Sequence, residues 1–199
     1  MSNLNQIKTT PKTGDETFTN KDTDLGFQLI DFWRWNQSDL ISNSNRGKFA
    51  EFIVAMAIGY DYSSSRNEWD AYDLLTEDGI KIEVKSAAFI QSWKQFKPTK
   101  IQFNINETRA WEGEEQNIRG KLRRQADVYV MCLLKHQDQN TLNPMNLEQW
   151  EFYVVPTSLL DEKLGSQKSI ALGRLKSLVE SCSFNDINQN IKPLKHSIS

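Results

Sequence analysis

Two acidic side chains and a lysine stand close together in the stretch YDLLTEDGIKIEVKS, residues 72–86. Side chains alternate along a strand, so Glu83 and Lys85 would project from one face while the apolar residues beside them project from the other. Asp73 precedes them across Glu77, Asp78 and Gly79, an Asp-Gly turn signal between two apolar runs. These residue types at this spacing suit a divalent metal site, and an ordinary solvent-facing hairpin is the alternative.

The expected hairpin register brings the two acids together. A three-residue turn at 77–79 makes the numbers of paired residues sum to 156, which places Asp73 across from Glu83. Like charges opposite each other destabilise a sheet, whereas Mg²⁺ prefers such hard oxygen ligands. Asp70 is the competing acid, but in an unbroken strand it lies on the opposite face from Asp73 and would need a bulge to join the cluster. We therefore predict Asp73.

Helix and strand patterns alternate along the chain. A helix is expected from Asp24 through LGFQLIDFWRW, and a buried helix from Arg46 to Gly59, in which Glu51 is the exception to an apolar surface. The predicted strands are EWDAYDLL (68–75), IKIEVKSAAF (80–89), KIQFNI (100–105), ADVYVMCLL (126–134) and EFYVVP (151–156). A closing helix is expected in SIALGRLKSLVES. This order predicts an α/β sandwich.

The composition predicts one domain with loose ends. Residues 1–23 and 186–199 are polar enough to be flexible tails, which leaves 24–185 as a single domain. No apolar run is long enough to span a bilayer, and the N-terminus lacks the apolar core of a signal peptide, so a cytoplasmic location is expected. Cys132 and Cys182 have no paired spacing and are predicted to be buried thiols.

A basic segment follows the acidic hairpin, although the net charge of the chain is only −2. Residues 85–124 contain nine Lys or Arg and four Glu, which is typical of a solvated basic face or of a rim that contacts phosphates. The candidates for phosphate contact are Arg46, Lys48, Lys94, Lys97, Arg123 and Arg124.

Aromatic residues interrupt this basic segment in FIQSWKQF. Phe89, Trp93 and Phe96 could stack on nucleobases, but aromatic residues at this spacing are more often part of a core. We expect at least two of the three to be core residues.

The acid and lysine pattern resembles the PD-(D/E)XK nuclease superfamily over residues 46–135. Members carry a Glu on a first core helix, matched by Glu51 in RGKFAEF, and an Asp on one strand, matched by Asp73 in YDLL. The Glu-x-Lys of the next strand is matched by IEVKS, residues 82–86. Gln125 in RRQADVYV is a looser candidate for a supporting glutamine. The Pro that often precedes the Asp is replaced by tyrosine.

The resemblance implies a restriction-endonuclease-like core, that is, a mixed β-sheet flanked by helices on both faces. It further implies that Asp73, Glu83 and the main-chain carbonyl of Val84 hold Mg²⁺, with Mn²⁺ as a substitute. Lys85 would orient the attacking water, and Glu51 would complete the acidic pocket. The implied activity is DNA cleavage by an endonuclease of a restriction or defence kind.

Nucleic acid, with DNA favoured, is therefore the expected partner, together with a second copy of the chain or a partner subunit. No membrane partner is expected. The alternative is a nucleic-acid-binding or scaffold protein that retains the nuclease fold without cutting, and the opposed acids favour the enzyme.

Overall fold

The computed structural model describes residues 7, 9–61, 71–109 and 120–197, with side chains described up to residue 194. The chain divides into two compact units. Unit 1 comprises residues 1–39 and 61–68, and unit 2 comprises residues 40–60 and 69–199. The predicted single domain, 24–185, therefore spans two units.

Unit 1 contains a hairpin and a short helix. Its elements are β1 (Thr17–Asn20), β2 (Thr23–Gln28) and α1 (Leu29–Gln37), with β1 and β2 antiparallel. The helix predicted to start after Asp24 begins later, because the Asp24 carboxylate accepts the N–H of Gly26 at 2.7 Å and Gly26 adopts a left-handed φ of +74°. The hairpin also corrects the expected tail, since β1 lies inside residues 1–23.

Unit 2 contains the larger sheet. Its strands are β3 (Leu74–Leu75), β4 (Lys81–Ala88), β5 (Gln102–Asn104), β6 (Val128–Leu134), β7 (Trp150–Pro156) and β8 (Ser169–Ala171). Its α-helices are α2 (Asn43–Ile58), α3 (Thr157–Leu164), α4 (Leu172–Lys176) and α5 (Ile187–Ile191). Short 3₁₀ helices occupy Leu147–Gln149, Phe184–Asp186 and Lys192–Ser197. The main sheet has the order β3-β4-β6-β7, in which β4 and β6 are parallel and the outer pairs are antiparallel.

Both faces of the main sheet are covered by helices. Every residue of β6 is buried, as its continuous apolar sequence predicts. Its even-numbered residues join α2 and α5 in one apolar cluster, and its odd-numbered residues join α3 and α4 in a second. This arrangement confirms the predicted α/β class, with a mixed sheet between helices.

Two other expectations differ from the structure. The predicted strand KIQFNI becomes β5, which pairs with β8 in a separate two-stranded sheet and does not extend the main one. The residues predicted as a flexible C-terminal tail contain α5, whose Ile187 and Ile191 are buried against the α2 side of the core. Their apolar spacing of four residues gives α5 a face to bury, which the polar composition of the segment hides.

The sequence also made predictions about the two cysteines and about membrane-spanning segments. Both cysteines are free thiols, as predicted, and Cys132 is buried, whereas Cys182 is only half-buried. Among the helices that the structure describes, none has both the length and the hydropathy to span a membrane.

Candidate active site

The β3–β4 hairpin forms around residues 77–79 with the predicted register. Leu74 pairs with Ile82 and Leu75 with Lys81, so paired residue numbers sum to 156. The turn needs Gly79 because its φ is +84°, a conformation that residues with a side chain rarely adopt. Hydrogen bonds between Thr76 and Ile80, through main chain and the Thr76 hydroxyl, close the turn. The local sequence therefore determines which residues of β3 and β4 meet.

Asp73 stands where the pairing of β3 with β4 ends. Its N–H donates to the carbonyl of Ile82 at 2.9 Å, and its carboxylate accepts the N–H of Val84 at 2.8 Å. The side chain of Asp73 thus takes the place of a main-chain acceptor for β4. This bond holds the carboxylate beside the Glu83–Lys85 segment, as the sequence predicted, although by an edge contact and not by a further strand pair.

The main chain of β4 directs the carbonyl of Val84 toward the same edge. In a strand, the N–H and C=O of one residue point to the same side. The carbonyl of Lys81 accepts from Asp127 on the β6 side, so even-numbered residues of β4 point toward β3. The N–H of Val84 confirms this by reaching Asp73. The Val84 carbonyl therefore lies on the side of the sheet edge that holds the Asp73 carboxylate.

Glu83 and Lys85 form an ion pair on one face of β4, through Glu83 Oε1 and Lys85 Nζ. Their side chains are 21% and 31% exposed, so both reach solvent while their stems are covered. The alternation of β4 explains the contact, because residues two apart share a face. The pair thus places a carboxylate and an ammonium group side by side on β4, partly shielded from solvent.

Tyr129 lies next to this pair on the neighbouring strand. It is aligned with Glu83 in the parallel β4–β6 register and is 3% exposed. Burial, and then the negative charge of Glu83, raise the pKa of the Tyr129 phenol, and Asp73 acts in the same direction. The sequence did not single out Tyr129, because its alignment with Glu83 depends on the interstrand register.

Glu51 lies on α2, and its Oε2 oxygen is buried. The helix packs on the face of the sheet that carries Ile82 and Val84, which is opposite to the face that carries Glu83 and Lys85. Within the described ranges, no three or more His, Cys, Asp or Glu side chains stand together as a metal-binding group. The structure thus brings Asp73 and Glu83 to one edge and places Glu51 on the helix behind it.

Gln125 is buried and holds a loop. Its Nε2 donates to the carbonyls of Thr108 at 2.7 Å and Arg123 at 3.2 Å. These bonds support the bridge between Thr108 and Arg123, which precedes β6. Asp70, the competing acid, lies outside the described residues.

Two predicted phosphate contacts are instead structural. Arg46 is buried on α2 and donates to the carbonyl of Ile41 and to the side chains of Gln91 and Asn43, and burial lowers its pKa. Arg124 is also buried, and its guanidinium donates to the carbonyls of Ile105 and Gly165. Lys48, Lys94, Lys97 and Arg123 remain exposed. A guanidinium with several donors can satisfy buried carbonyls, which explains why these two arginines lie inside.

The donor set fits a small divalent cation. Carboxylate and carbonyl oxygens are the ligands that Mg²⁺ takes in proteins, commonly one or two carboxylates with water and substrate oxygens completing the shell. The Asp73 carboxylate is fixed at the edge of β4, with Glu83 next to it and the Val84 carbonyl directed to the same side. Two carboxylates and one carbonyl meet that requirement without a third acid.

Comparison with known proteins identifies a family whose model matches this chain. A family model described as bacteriophage T4 endonuclease IV matches residues 1–172, which include unit 1, unit 2 as far as residue 172, and the whole β3–β4 hairpin. No curated protein matches the chain significantly. An endonuclease is a hydrolase of phosphodiester bonds, so the match supports a nuclease.

Proposed function

Because the chain belongs to the bacteriophage T4 endonuclease IV family, we propose that it is a Mg²⁺-dependent DNA endonuclease of the PD-(D/E)XK type. Asp73, Glu83 and Lys85 form its catalytic set. The observation that carries this proposal is the hydrogen bond that the N–H of Val84 donates to the Asp73 carboxylate. In the sequence, Val84 lies between Glu83 and Lys85, which form an ion pair. Like charges that face each other on a strand pair destabilise it, and a divalent cation between them would reverse that effect.

Asp73, Glu83 and the carbonyl of Val84 would hold Mg²⁺, or Mn²⁺ in its place, which when bound polarises a scissile phosphate and lowers the pKa of a water molecule. The Asp73–Val84 hydrogen bond orients the carboxylate before a metal ion binds, so the Asp73 side chain loses little conformational freedom on binding. Glu51, half-buried on α2 behind the edge, would add to the acidic pocket only through a water molecule or at a second metal ion.

Lys85 supplies the positive charge of the site. Its ammonium is held by Glu83 and is partly exposed, so it can reach a phosphate or a water molecule in front of the sheet. Negative charge grows on the phosphate oxygens as the bond breaks, and a preorganised cation stabilises that charge more than it stabilises the substrate. The ion pair with Glu83 keeps the ammonium pointed at this position.

The test is cleavage of supercoiled plasmid, linear duplex and single-stranded DNA with Mg²⁺ or Mn²⁺, and with EDTA. We expect cutting that requires the metal and that Lys85→Ala reduces by about 100-fold or more, the usual cost of removing one group that stabilises transition-state charge. Lys81→Ala is the matched control, because it removes the same charge from the same face of β4. It should cut at a rate close to that of the wild-type protein.

Three results would contradict the proposal. Cutting that continues in EDTA would exclude the metal, and equal losses in Lys81→Ala and Lys85→Ala would reduce Lys85 to a general electrostatic contribution. Binding of DNA without cutting under any condition would instead support a nucleic-acid-binding or scaffold protein that retains the fold.

A further inference from the structure

The segment after β4 forms a closed loop over residues 89–99. The N–H of Thr99 donates to the carbonyl of Phe89 at 2.9 Å, which joins the two ends. Phe89 packs against the apolar cluster on the α3 side, and Ile90 is buried, so the base of the loop is anchored. The loop therefore starts from the same strand that carries Glu83 and Lys85.

Two glutamines hold the loop from within. Gln95 accepts the N–H of Gln91 at 2.7 Å and donates to the Thr99 hydroxyl at 2.9 Å. The buried side chain of Gln91 donates to the carbonyl of Ala88 at 2.7 Å and accepts from Arg46 at 3.1 Å. Hydrogen bonds of the two glutamines thus shape the interior of the loop, while Phe89 and Ile90 anchor its base.

The outer side of the loop presents aromatic and basic residues. Phe96 is 96% exposed and Trp93 is 53% exposed. Lys94 and Lys97 are exposed beside them, with Lys94 Nζ 5.9 Å from the centroid of the Phe96 ring. This result corrects the expectation that two of the three aromatic residues are core, since only Phe89 packs inward.

Hydrophobic burial does not explain why aromatic side chains occupy these positions. A side chain as exposed as Phe96 gains almost no hydrophobic stabilisation from folding. Residues 89–100 contain three lysines and no acid, so the exposed rings lie in a positive field. A nucleic acid matches this chemistry, because it combines phosphate charge with flat base surfaces.

We propose that the 89–99 loop is a nucleic-acid-binding surface, in which Phe96 and Trp93 stack on nucleobases while Lys94 and Lys97 contact phosphates. This proposal rests on the proposed nuclease function and adds the surface that positions the substrate. Stacking requires a base with one free face, so the loop engages a nucleotide at an end, in a single strand or displaced from a duplex. The loop begins directly after β4, the strand that carries Lys85.

The experiment measures binding apart from cleavage. Fluorescence anisotropy with labelled single-stranded and duplex oligonucleotides, in EDTA and in a Lys85→Ala background, reports affinity without hydrolysis. We expect Phe96→Ala and Trp93→Ala each to weaken binding by about 5- to 150-fold, the range of one lost base–aromatic stack. Phe96→Trp should bind within about twofold of the parent protein, since the ring that stacks is retained.

The lysines are tested through salt dependence. Each lost phosphate contact reduces the slope of log affinity against log salt by about 0.7 to 0.9. The double variant Lys94→Ala, Lys97→Ala should lower this slope by roughly 1.4 to 1.8, whereas Phe96→Ala should leave the slope unchanged. Matched controls are Met145→Ala, an exposed apolar residue elsewhere in unit 2, and Lys135→Ala with Lys192→Ala, which remove the same charge.

The outcomes separate this proposal from the proposed catalysis. Weak binding in Phe96→Ala, combined with no cutting by the wild-type protein, would support the loop and contradict the nuclease. Normal cutting and binding by Phe96→Ala and Trp93→Ala would overturn the loop and leave the nuclease intact, and absence of any binding by the parent protein would also overturn it. A wild-type dimer that Phe96→Ala disrupts, with binding unchanged, would make the loop a protein interface instead.

Discussion

The carboxylate of Asp73 accepts the main-chain N–H of Val84 at 2.8 Å, and this bond ties the Asp73 side chain to β4. The bond substitutes for a main-chain acceptor at the point where β3 stops pairing with β4. Asp73 therefore has a structural role, which requires an oxygen that accepts a hydrogen bond, and a proposed catalytic role, which requires a negative charge. Different substitutions can separate the two.

Asp73→Asn and Asp73→Ala should have different effects on stability and the same effect on cutting. The amide oxygen of asparagine can still accept from Val84, whereas alanine leaves that N–H without an acceptor at a cost of about 1–3 kcal/mol. Both variants lose the negative charge, and we expect both to cut DNA at least about 100-fold more slowly. Urea unfolding and plasmid cleavage measure the two effects, and an active Asp73→Asn would leave Asp73 with a structural role alone.

Arg124 should affect stability and not DNA affinity. Its guanidinium donates to the carbonyls of Ile105, Gly165 and Gln167, and it pairs with the carboxylate of Asp161. The arginine side chain is fully buried, whereas that of Asp161 is 57% exposed. Arg124→Lys cannot reach all of these acceptors, and we expect it to lower the free energy of unfolding by about 3 kcal/mol.

Asp161→Asn is the matched control for Arg124: it removes the counter-charge but keeps an oxygen that can accept from the guanidinium, so we expect a smaller loss of stability than in Arg124→Lys. Urea unfolding measures both variants. The folded Arg124→Lys protein should also keep the salt dependence of DNA binding. A reduced slope would show that Arg124 contacts phosphate after all.

Local patterns predicted the hairpin well. The Asp-Gly turn and the alternation of β4 contain the register, so the meeting of Asp73 with the Glu83–Lys85 segment follows from a few neighbouring residues. The apolar run of β6 similarly predicted burial on both faces. Such features depend on sequence neighbours alone.

Features that depend on distant partners were not predictable. Nothing in KIQFNI indicates that β5 pairs with β8, and nothing near Arg124 indicates that main-chain carbonyls elsewhere in the chain will surround its guanidinium group. The exposure of Phe96 was not predicted for a different reason. Its loop is held by hydrogen bonds of Gln91 and Gln95 to residues three or four positions away, and such polar contacts leave no apolar periodicity in the sequence.

Stability should fall in alkaline solution because of Tyr129. Burial and the charge of Glu83 raise its pKa, so the folded protein keeps a phenolic proton that the unfolded chain releases near pH 10. The unfolded state then binds fewer protons, and the free energy of unfolding falls as pH rises, by up to about 1.4 kcal/mol per pH unit for this group. Below pH 9 both states are protonated and Tyr129 contributes no pH dependence.

Urea unfolding between pH 8 and 11 tests this expectation. Tyr129→Phe should show a shallower loss of stability above pH 10 than the wild-type protein, because phenylalanine has no proton to release. An identical pH dependence in the two proteins would mean that Tyr129 ionises as easily in the folded state as in the unfolded chain.

The two cysteines should remain separate thiols even under oxidising conditions. Cys132 pairs with Phe152 across β6 and β7, and Cys182 bridges Phe152 from the other side. One residue of β7 therefore stands between them, which puts their Cα atoms roughly 10 Å apart. Disulfide geometry requires less than about 7 Å, so an oxidant such as diamide should not produce an intramolecular disulfide in the folded protein.

Their reactivity toward a thiol reagent should differ as well. Burial, and then the charge of Asp186, raise the pKa of Cys182 to about 11, and burial raises the pKa of Cys132 well above its usual range. At pH 8 only about one Cys182 in a thousand is then a thiolate, against roughly a quarter of free cysteine. We expect a slow phase with Ellman's reagent that Cys182→Ser removes and Cys132→Ser keeps, and that accelerates about tenfold per pH unit up to pH 10. Both thiols should react rapidly in denaturant, and a fast phase in the native protein at pH 8 would contradict the burial of Cys182.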